Sequence, residues 1–409
     1  PRTTDNGPLT NPMAIRVPKG FRLAGVHCGL KRDPGKQDLT LVVSDRPAAA
    51  AGVYTRNLVF AAPVALDRQR TPSDCVLAVV INSGNANACT GQRGLDDARH
   101  MARLAAQACG AAEDQALVLS TGVIGAYLPM DRIARGIEMA AARLAADEAT
   151  LVEAARGMLT TDTVHKLAGR TVSLGKREVQ ITGMAKGAAM MGPNMATMLA
   201  LIMTDAPLAA AEAQAALSAA TAETFNCISV DGHMSTNDTV LLLANGAAGG
   251  PPLDRPELSA LQQALNEVCA DLARAIAGDG EGATHLITLE VTGCADRPAA
   301  LAIAKTIANS PLVKTAIHGA DPNWGRIVSA AGYAGVSFDP AGLTLRLNGY
   351  LLYQGGSPVP FDAKTVSDSI RQHRDTLIQL ALSEGDASVR FWTADLTAEY
   401  VRLNADYHT

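Results

Sequence analysis

The chain has 409 residues, of which 48% are hydrophobic and 18% are charged, and its formal net charge is -5 at pH 7. This length and composition predict a globular protein with one large or two ordinary domains. The acidic balance and the 4% aromatic content argue against a nucleic-acid-binding surface, which needs basic patches and stacking rings. No apolar run approaches the length of a membrane span, and residues 1–20 lack the apolar core of a signal peptide. We therefore expect a cytoplasmic protein.

The predicted elements alternate between β-strands and helices along the chain. Apolar, β-branched runs predict strands over 76–81, 117–119, 239–244 and 286–292. Helical periodicity predicts helices over 96–109, 129–145, 207–225 and 371–382. Asn348-Gly349 between two apolar runs is typical of a type I′ hairpin turn, and hairpins favour a mixed sheet over a purely parallel one. The Pro/Gly-rich segment 246–256 is interpreted as a surface loop.

The seven cysteines are scattered and form no CxxC pair. This spacing predicts neither a zinc site nor a disulfide framework. We expect buried thiols in a reducing compartment.

Thr197 is the first candidate for chemistry, because it stands between a Gly/Pro-containing loop and the apolar run 198–203. A threonine hydroxyl is a weak nucleophile until a base takes its proton, and a free α-amine on the same residue can serve as that base. Cleavage of the Ala196–Thr197 bond would create this amine. From the segment alone, a buried threonine that begins a strand is the alternative.

Two glycine-bearing segments are further candidates. Thr121-Gly122 follows a predicted strand, and backbone N–H groups of such a turn can face an oxyanion. An ordinary strand-to-helix turn is the alternative. Glu281 stands in Gly278-Asp279-Gly280-Glu281-Gly282, which lacks the residues of a phosphate-binding loop. A carboxylate on such a loop suits a cationic amine instead.

Several blocks of the chain, in order, resemble the ornithine acetyltransferase (glutamate N-acetyltransferase) family. They cover residues 120–125, 160–163, 186–199, 229–232, 235–239, 278–284, 309–316, 319–326 and 400–409. The block around Thr197 carries the family's self-cleavage sequence, Pro193-Asn194-Met195-Ala196-Thr197-Met198-Leu199. The resemblance runs from about Pro18 to the last residue.

The resemblance implies an α/β fold of stacked mixed β-sheets between helical layers, an αββα-type sandwich, with a smaller C-terminal α/β lobe. Residues 1–17 are expected to form a loose tail. Cleavage between Ala196 and Thr197 would leave an α fragment, 18–196, and a β fragment, 197–409, which stay intertwined. Two of each are expected to form an α2β2 heterotetramer.

The resemblance also implies the site. Thr197 is the expected nucleophile, and Thr121 with Gly122 is the expected oxyanion hole. The expected substrate contacts besides Thr197 are Thr160, Thr161, Lys186, Glu281, Asn404 and Thr409. The implied reaction is ping-pong: Thr197 takes an acetyl group from N2-acetylornithine, and glutamate then removes it as N-acetylglutamate, in arginine biosynthesis. No metal or prosthetic group is expected, and acetyl-CoA as a second acetyl donor stays open.

Other positions in these blocks are interpreted as structural. Asn194 and the block 321–326 belong here, with Arg326 expected in a buried ion pair. Four residues differ from what is common in the family, and they leave the cleavage rate and the acceptor preference open. They are His165, Gly192, His233 and His318.

Two other function classes are weighed. A self-processing aminopeptidase or amidase of similar architecture would let water attack the acyl-enzyme. A nucleotide-binding α/β protein would use the glycine loops, but the acidic Glu281 and the missing phosphate-binding motif argue against it.

Overall fold

The computed structural model describes residues 15–190, 192 and 198–406. In that part the strands are β1 Phe21–Val26, β2 Leu39–Tyr54, β3 Ser73–Asn85, β4 Ala116–Val123, β5 Lys166–Leu174, β6 Arg177–Lys186, β7 Leu199–Thr204, β8 Ile228–Ser229, β9 Thr239–Ala244, β10 Leu286–Cys294, β11 Thr344–Leu347, β12 Tyr350–Gln354, β13 Ser357–Pro358, β14 Asp375–Ala381 and β15 Ala387–Ala394.

The helices of the described part lie between these strands or after the last of them. They are α1 Ala62–Arg70, α2 Gly91–Ala108, α3 Met130–Ala141, α4 Glu148–Gly157, α5 Ala210–Glu223, α6 Arg255–Gly278, α7 Arg297–Ala308, α8 Pro311–His318, α9 Trp324–Gly332, α10 Ala363–Arg371 and α11 Ala398–Asp406. None of these helices is long and apolar enough to cross a membrane.

The first sheet has the strand order β4-β3-β2-β9-β7-β6-β5, with β1 paired to β2. The pairs β3–β4 and β7–β9 are parallel and the other pairs are antiparallel, so the sheet is mixed. β2 is bulged between Val43 and Ala50, which bends a strand and increases its twist. Its first half pairs with β1 and its second half with β9.

The bend lets the two halves of the first sheet pack on each other. Their shared core contains Ile81 and Leu119 from one half and Leu201 and Leu241 from the other, all at most 1% exposed. α4 contacts β1 and β5, which lie in different halves. Helices α1 to α3 cover one outer face, and α5 and α6 cover the other. These layers confirm the predicted fold of stacked mixed sheets between helices.

The second sheet has the order β13-β12-β11-β14-β10-β15-β8. It is also mixed, because β14 and β8 run parallel to their neighbours β10 and β15. α7 packs on β10 and β15, while α6 contacts β15 as well as β5 and β6 of the first sheet. One apolar core therefore continues from the first sheet through α6 into the second.

One predicted helix is wrong, because residues 371–382 contain only the end of α10 and then the strand β14. Burial in β14 alternates, with Thr376, Ile378 and Leu380 inside, which is the period of a strand. The helix predicted over 129–145 ends at Ala141, and the one predicted to begin at 96 begins at Gly91.

The predicted hairpin turn is confirmed. Asn348 and Gly349 join β11 to β12 with φ of 49° and 86°, as both central positions of a type I′ turn require.

Two of the remaining structural expectations need correction. Cys75 and Cys89 are exposed, so burial does not hold for all the thiols. Arg326 is half-buried, and its Nη1 donates to the Leu312 carbonyl at 2.9 Å instead of forming the expected buried ion pair. Asn323 caps α9 by accepting the Arg326 N–H at 3.2 Å, which is a structural role.

Candidate active site

Lys186 and Thr121 meet in the interior of the first sheet. Lys186 is the last residue of β6 and is 2% exposed. Its Nζ donates to Thr121 Oγ1 at 3.2 Å, and Thr121 lies near the end of β4. Two residues predicted from separate sequence blocks therefore touch, although β4 and β6 are not neighbours in the sheet.

The Thr121-Gly122 turn is fixed by its contact with β3. Gly122 pairs with Gly84 and has a φ of +135°, which side-chain-bearing residues rarely adopt. A Cβ at Gly122 would lie 2.3 Å from the Gly84 carbonyl carbon. The buried Asn237 amide donates to the Ser120 carbonyl at 2.8 Å and holds the strand from the other side. A glycine is therefore required where the oxyanion hole is predicted.

The beginning of β7 lies beside the same residues. Leu199 is the register partner of Lys186, and the Met198 N–H donates to Asp238 Oδ1 at 3.1 Å. Asp238 is 0% exposed. Ala196 and Thr197 lie outside the described residues, as does Asn194.

Two carboxylates near Lys186 share one buried lysine, Lys166. Lys166 Nζ lies 2.7 Å from Asp162 Oδ1 and 2.7 Å from Asp279 Oδ2. Asp162 also accepts the N–H groups of Gly187 at 2.6 Å and Thr160 at 3.0 Å. This network joins the loop after α4, the end of β6 and the loop after α6.

Glu281 and Asn404 form a second group of polar side chains near Lys186. Asn404 Nδ2, on α11, donates to Glu281 Oε2 at 2.9 Å. The Glu281 N–H donates to the Ala188 carbonyl at 2.9 Å, so the glycine loop is attached to the segment after Lys186. Thr409, the other C-terminal residue predicted to contact substrate, lies outside the described residues. The C-terminal helix thus reaches the predicted site through Asn404.

Comparison with known proteins decides the family. Residues 22–409 match the ArgJ family over nearly the whole chain. The arginine biosynthesis bifunctional protein ArgJ of Rhodopirellula baltica is 45% identical over 99% of this chain and 100% of its own length.

The chain belongs to the ArgJ family.

Two solved structures are also similar. ArgJ of Bacillus halodurans is 41% identical, with a TM-score of 0.49, over 50% of this chain and 96% of that one. Ornithine acetyltransferase of Mycobacterium tuberculosis, solved with ornithine, is 36% identical, with a TM-score of 0.39, over 44% of this chain and 95% of that one. The family match and the relative from Rhodopirellula baltica confirm the predicted family. They also confirm the predicted activity class, an acyltransferase that moves acetyl groups in arginine biosynthesis.

The charges of the site act on one another. Burial lowers the pKa of Lys186, while Asp162, Asp238 and Glu281 raise it. Burial alone would raise the pKa of Asp162, but Lys186, Lys166 and the Gly187 N–H together hold it below its ordinary value. Burial raises the pKa of Asp238 well above its ordinary range. The pKa values of Asp162 and Asp238, which both act on Lys186, are therefore shifted in opposite directions.

The structure separates the two predicted threonines of the 160–163 block. Thr160 is half-buried and tied to Asp162, whereas Thr161 is exposed. This arrangement favours Thr160 as the residue nearer to the cluster, and substrate contact by either one stays a prediction.

Sequence reasoning missed the charged network of the site. Asp162 and Asp279 stand inside two of the recognised blocks, next to residues that were singled out, and Lys166 follows shortly after the first. The sequence does not indicate that these three side chains meet, because the two carboxylates are more than one hundred residues apart. Among the described residues no group of three or more His, Cys, Asp or Glu side chains is arranged to hold a metal ion.

The atypical residues lie at different distances from this cluster. His165 is next to Lys166, and burial lowers its pKa, as do Arg156 and Lys166. His233 is exposed, and its N–H donates to Asp231 at 3.0 Å. His318 lies 3.2 Å from Asp395, behind the glycine loop. A Cβ at Gly192 would lie 2.7 Å from the Gly232 carbonyl group, so the backbone here leaves no space for a side chain.

Proposed function

We propose that the chain transfers an acetyl group from N2-acetylornithine to glutamate through an acetyl ester on Thr197, after it cuts itself between Ala196 and Thr197. Family membership supports the acetyl transfer, and the named relatives support ornithine chemistry. The nucleophile, the cleavage and the roles of single residues are the parts that this proposal adds.

One observation carries the proposal: Lys186 contacts the Thr121-Gly122 turn, and Leu199 is its register partner. The residue two positions before Leu199 is Thr197. A nucleophile delivered at the start of β7 would have an oxyanion hole and a cation close by, as acyl transfer requires.

Self-cleavage is proposed as an acyl shift. The Thr197 hydroxyl attacks the Ala196 carbonyl carbon, the Thr197 nitrogen leaves with a proton, and an ester joins Ala196 to the Thr197 oxygen. Water then hydrolyses this ester and releases the Ala196 carboxylate. The hydroxyl and the new α-amine of Thr197 are then both free, and the amine can act as the base.

Acetyl transfer follows in two steps with the same groups. The Thr197 hydroxyl attacks the acetyl carbonyl of N2-acetylornithine and loses its proton to the α-amine, which protonates the departing ornithine nitrogen. The glutamate amine then attacks the acetyl-Thr197 ester, and the Thr197 hydroxyl is regenerated. In both steps the N–H groups of the Thr121-Gly122 turn are proposed to bind the oxyanion.

Glu281, Asn404 and Lys186 are proposed to bind the amino-acid parts of the substrates. Glu281 presents a carboxylate beside Lys186 and the C-terminal helix, which suits the side-chain ammonium of ornithine. Thr160 and Thr409 are proposed as further contacts. The reaction needs no prosthetic group, and acetyl-CoA as a second donor is left to experiment.

The test follows a labelled acetyl group. We would incubate the purified protein with N2-acetylornithine carrying an isotope-labelled acetyl group, with and without glutamate. The proposal predicts labelled N-acetylglutamate in amounts equal to the ornithine released. Labelled free acetate at the same rate with and without glutamate would contradict it and favour a hydrolase.

The proposal also includes an α2β2 assembly of the cleaved fragments and a cytoplasmic location. Family membership supports both expectations. Light scattering on the purified protein would test the assembly through its mass.

A further inference from the structure

Lys31 lies on the loop between β1 and β2, which is folded around the carboxylate of Asp38. Asp38 is fully buried and accepts the N–H groups of residues 28–31 at 2.7–3.1 Å. His27 Nδ1 lies 3.2 Å from the same carboxylate. The backbone of Lys31 is therefore held in a fixed position.

The Lys31 side chain passes over the strand beside the proposed oxyanion turn. Its Cγ lies 3.5 Å from the point that a Cβ on Gly84 would occupy. Gly84 is the register partner of Gly122, and the two backbones are in close contact. The stem of Lys31 is thus one strand away from Gly122.

The Lys31 ammonium has hydrogen-bond donors left for a ligand, and it interacts electrostatically with Lys186 and Asp162. Lys31 is half-buried, and its Nζ donates one hydrogen bond among the described residues, to the Gln37 carbonyl at 2.6 Å. An ammonium group has three donors. The pKa of Lys31 is lowered to about 8, chiefly by burial; Lys36 and Lys186 also lower it, whereas Asp38 and Asp162 raise it.

Both substrates of the proposed reaction carry an α-carboxylate next to the reacting nitrogen. Only this nitrogen and the α-carbon separate the acyl carbon from the carboxylate, so the carboxylate must lie close to the oxyanion turn. A partly buried carboxylate needs a cation or several N–H donors. Lys186 donates one hydrogen bond to Thr121 and faces Asp162, so Lys31 supplies a second cation beside this turn.

We infer that Lys31 binds the α-carboxylate of the amino-acid substrates, beside the Thr121-Gly122 turn. This inference rests on the proposed function and adds a determinant of specificity to it. Lys31 would select α-amino acids over amines of the same length, for both the donor and the acceptor.

The experiment compares substrates with and without the carboxylate. We would measure KM for N2-acetylornithine and for N-acetylputrescine, which lacks only the α-carboxylate, with wild type and Lys31→Met. The variant should raise KM for N2-acetylornithine about 10–100-fold, because a charge-assisted hydrogen bond is lost, and leave N-acetylputrescine unchanged. Lys31→Arg should retain most of the preference, since it keeps a cation.

Lys36→Met is the matched control, because Lys36 is an exposed lysine of the same loop and its removal should leave the preference unchanged. An equal effect of Lys31→Met on both donors, or no effect on either, would overturn the inference. Calorimetric titration with ornithine and putrescine makes the same comparison without acetyl transfer. Loss of transfer in wild type would contradict the proposed function, whereas equal binding of ornithine by wild type and Lys31→Met would contradict the role of Lys31.

Discussion

Lys166 lies between two buried carboxylates of the site. Its side chain is 1% exposed, and those of Asp162 and Asp279 are 0% and 7% exposed. Thr163 adds its N–H at 3.0 Å and its hydroxyl to Asp279. Removing one partner from such a network leaves the others charged and unpaired, which costs far more than an exposed ion pair contributes.

Replacement of this lysine should destabilise the whole protein. We expect Lys166→Met to lower the free energy of unfolding by about 3–5 kcal/mol, because Asp162 and Asp279 lose their shared counter-ion. Lys176→Met, at an exposed turn between β5 and β6, is the control and should change it by less than about 0.5 kcal/mol. Urea unfolding measures the free energy of unfolding of both variants. Equal effects of the two substitutions would contradict a stabilising role for this network.

Asp395 should make stability depend on acidic pH. Burial alone would raise its pKa, but hydrogen bonds from His285 and Thr284 lower the pKa from 3.8 to about 2. A carboxyl group with a lower pKa in the folded state stabilises the fold fully above pH 3.8, and this stabilisation is lost as pH falls towards 2. The unfolding free energy of Asp395→Asn should therefore fall less than that of wild type between these pH values. His285 and His318 face the same carboxylate, at 3.1 and 3.2 Å.

Gly122 should tolerate no side chain. Gly122→Ala would bring a Cβ to 2.3 Å from the Gly84 carbonyl carbon and force the turn to move. We expect kcat to fall about 10²–10³-fold, the usual effect of losing one oxyanion donor. Gly125→Ala, in open space at the next turn, controls for the loss of a glycine with positive φ. Equal activities of the two variants would argue against an oxyanion hole at this turn.

At the scale of elements, much of the fold could be predicted from local pattern. The strand β9 has the predicted bounds, and β11 and β12 are joined at the predicted turn, because apolar runs and Asn348-Gly349 are local signals. The failure at 371–382 has a physical reason: Arg371 to His373 continue a helical pattern, and only pairing with β10 and β11 makes the following residues a strand. Tertiary pairing decides such segments.

The candidate site could likewise be predicted only in part. Thr121, Lys186, Glu281 and Asn404 could be predicted, because each stands in a distinctive sequence block. The pairing of Lys166 with Asp162 and Asp279 could not, since it depends on how α4, β5 and α6 meet. Lys31 was likewise not singled out, because a lysine in a polar loop is usually a solvated side chain.

The end of the C-terminal helix α11 is the segment whose removal should separate binding from cleavage. Its Asn404 contacts Glu281, and Gly282 packs closely on Tyr400. We expect deletion of residues 404–409 to raise KM for N2-acetylornithine and glutamate at least about tenfold, as a polar substrate contact is lost. Self-cleavage should continue, because the Ala196–Thr197 bond does not depend on substrate. Gel electrophoresis and steady-state kinetics would measure both, and loss of cleavage with the deletion would contradict this assignment.

For the whole molecule, the strand order predicts that cleavage does not release the fragments. β6 lies before the predicted cut and β7 after it, and they are neighbours in the first sheet. β2 and β9 make a second pair across the same cut. Six backbone positions are paired in each of these contacts. The paired residues of β6, β7 and β9 are buried, as are residues 49–51 of β2. Separation would therefore expose the core of the sheet, so denaturant should be needed.

The central claim is that Thr197 becomes an N-terminal nucleophile and carries the acetyl group. The most direct measurement is the denatured intact mass of the protein after brief incubation with N2-acetylornithine, with Thr197→Ala as control. We predict two fragments divided between Ala196 and Thr197, the second heavier by one acetyl group, and an uncut, unmodified chain for the variant. A single wild-type chain without an acetyl adduct, or an adduct on any other residue, would contradict the account.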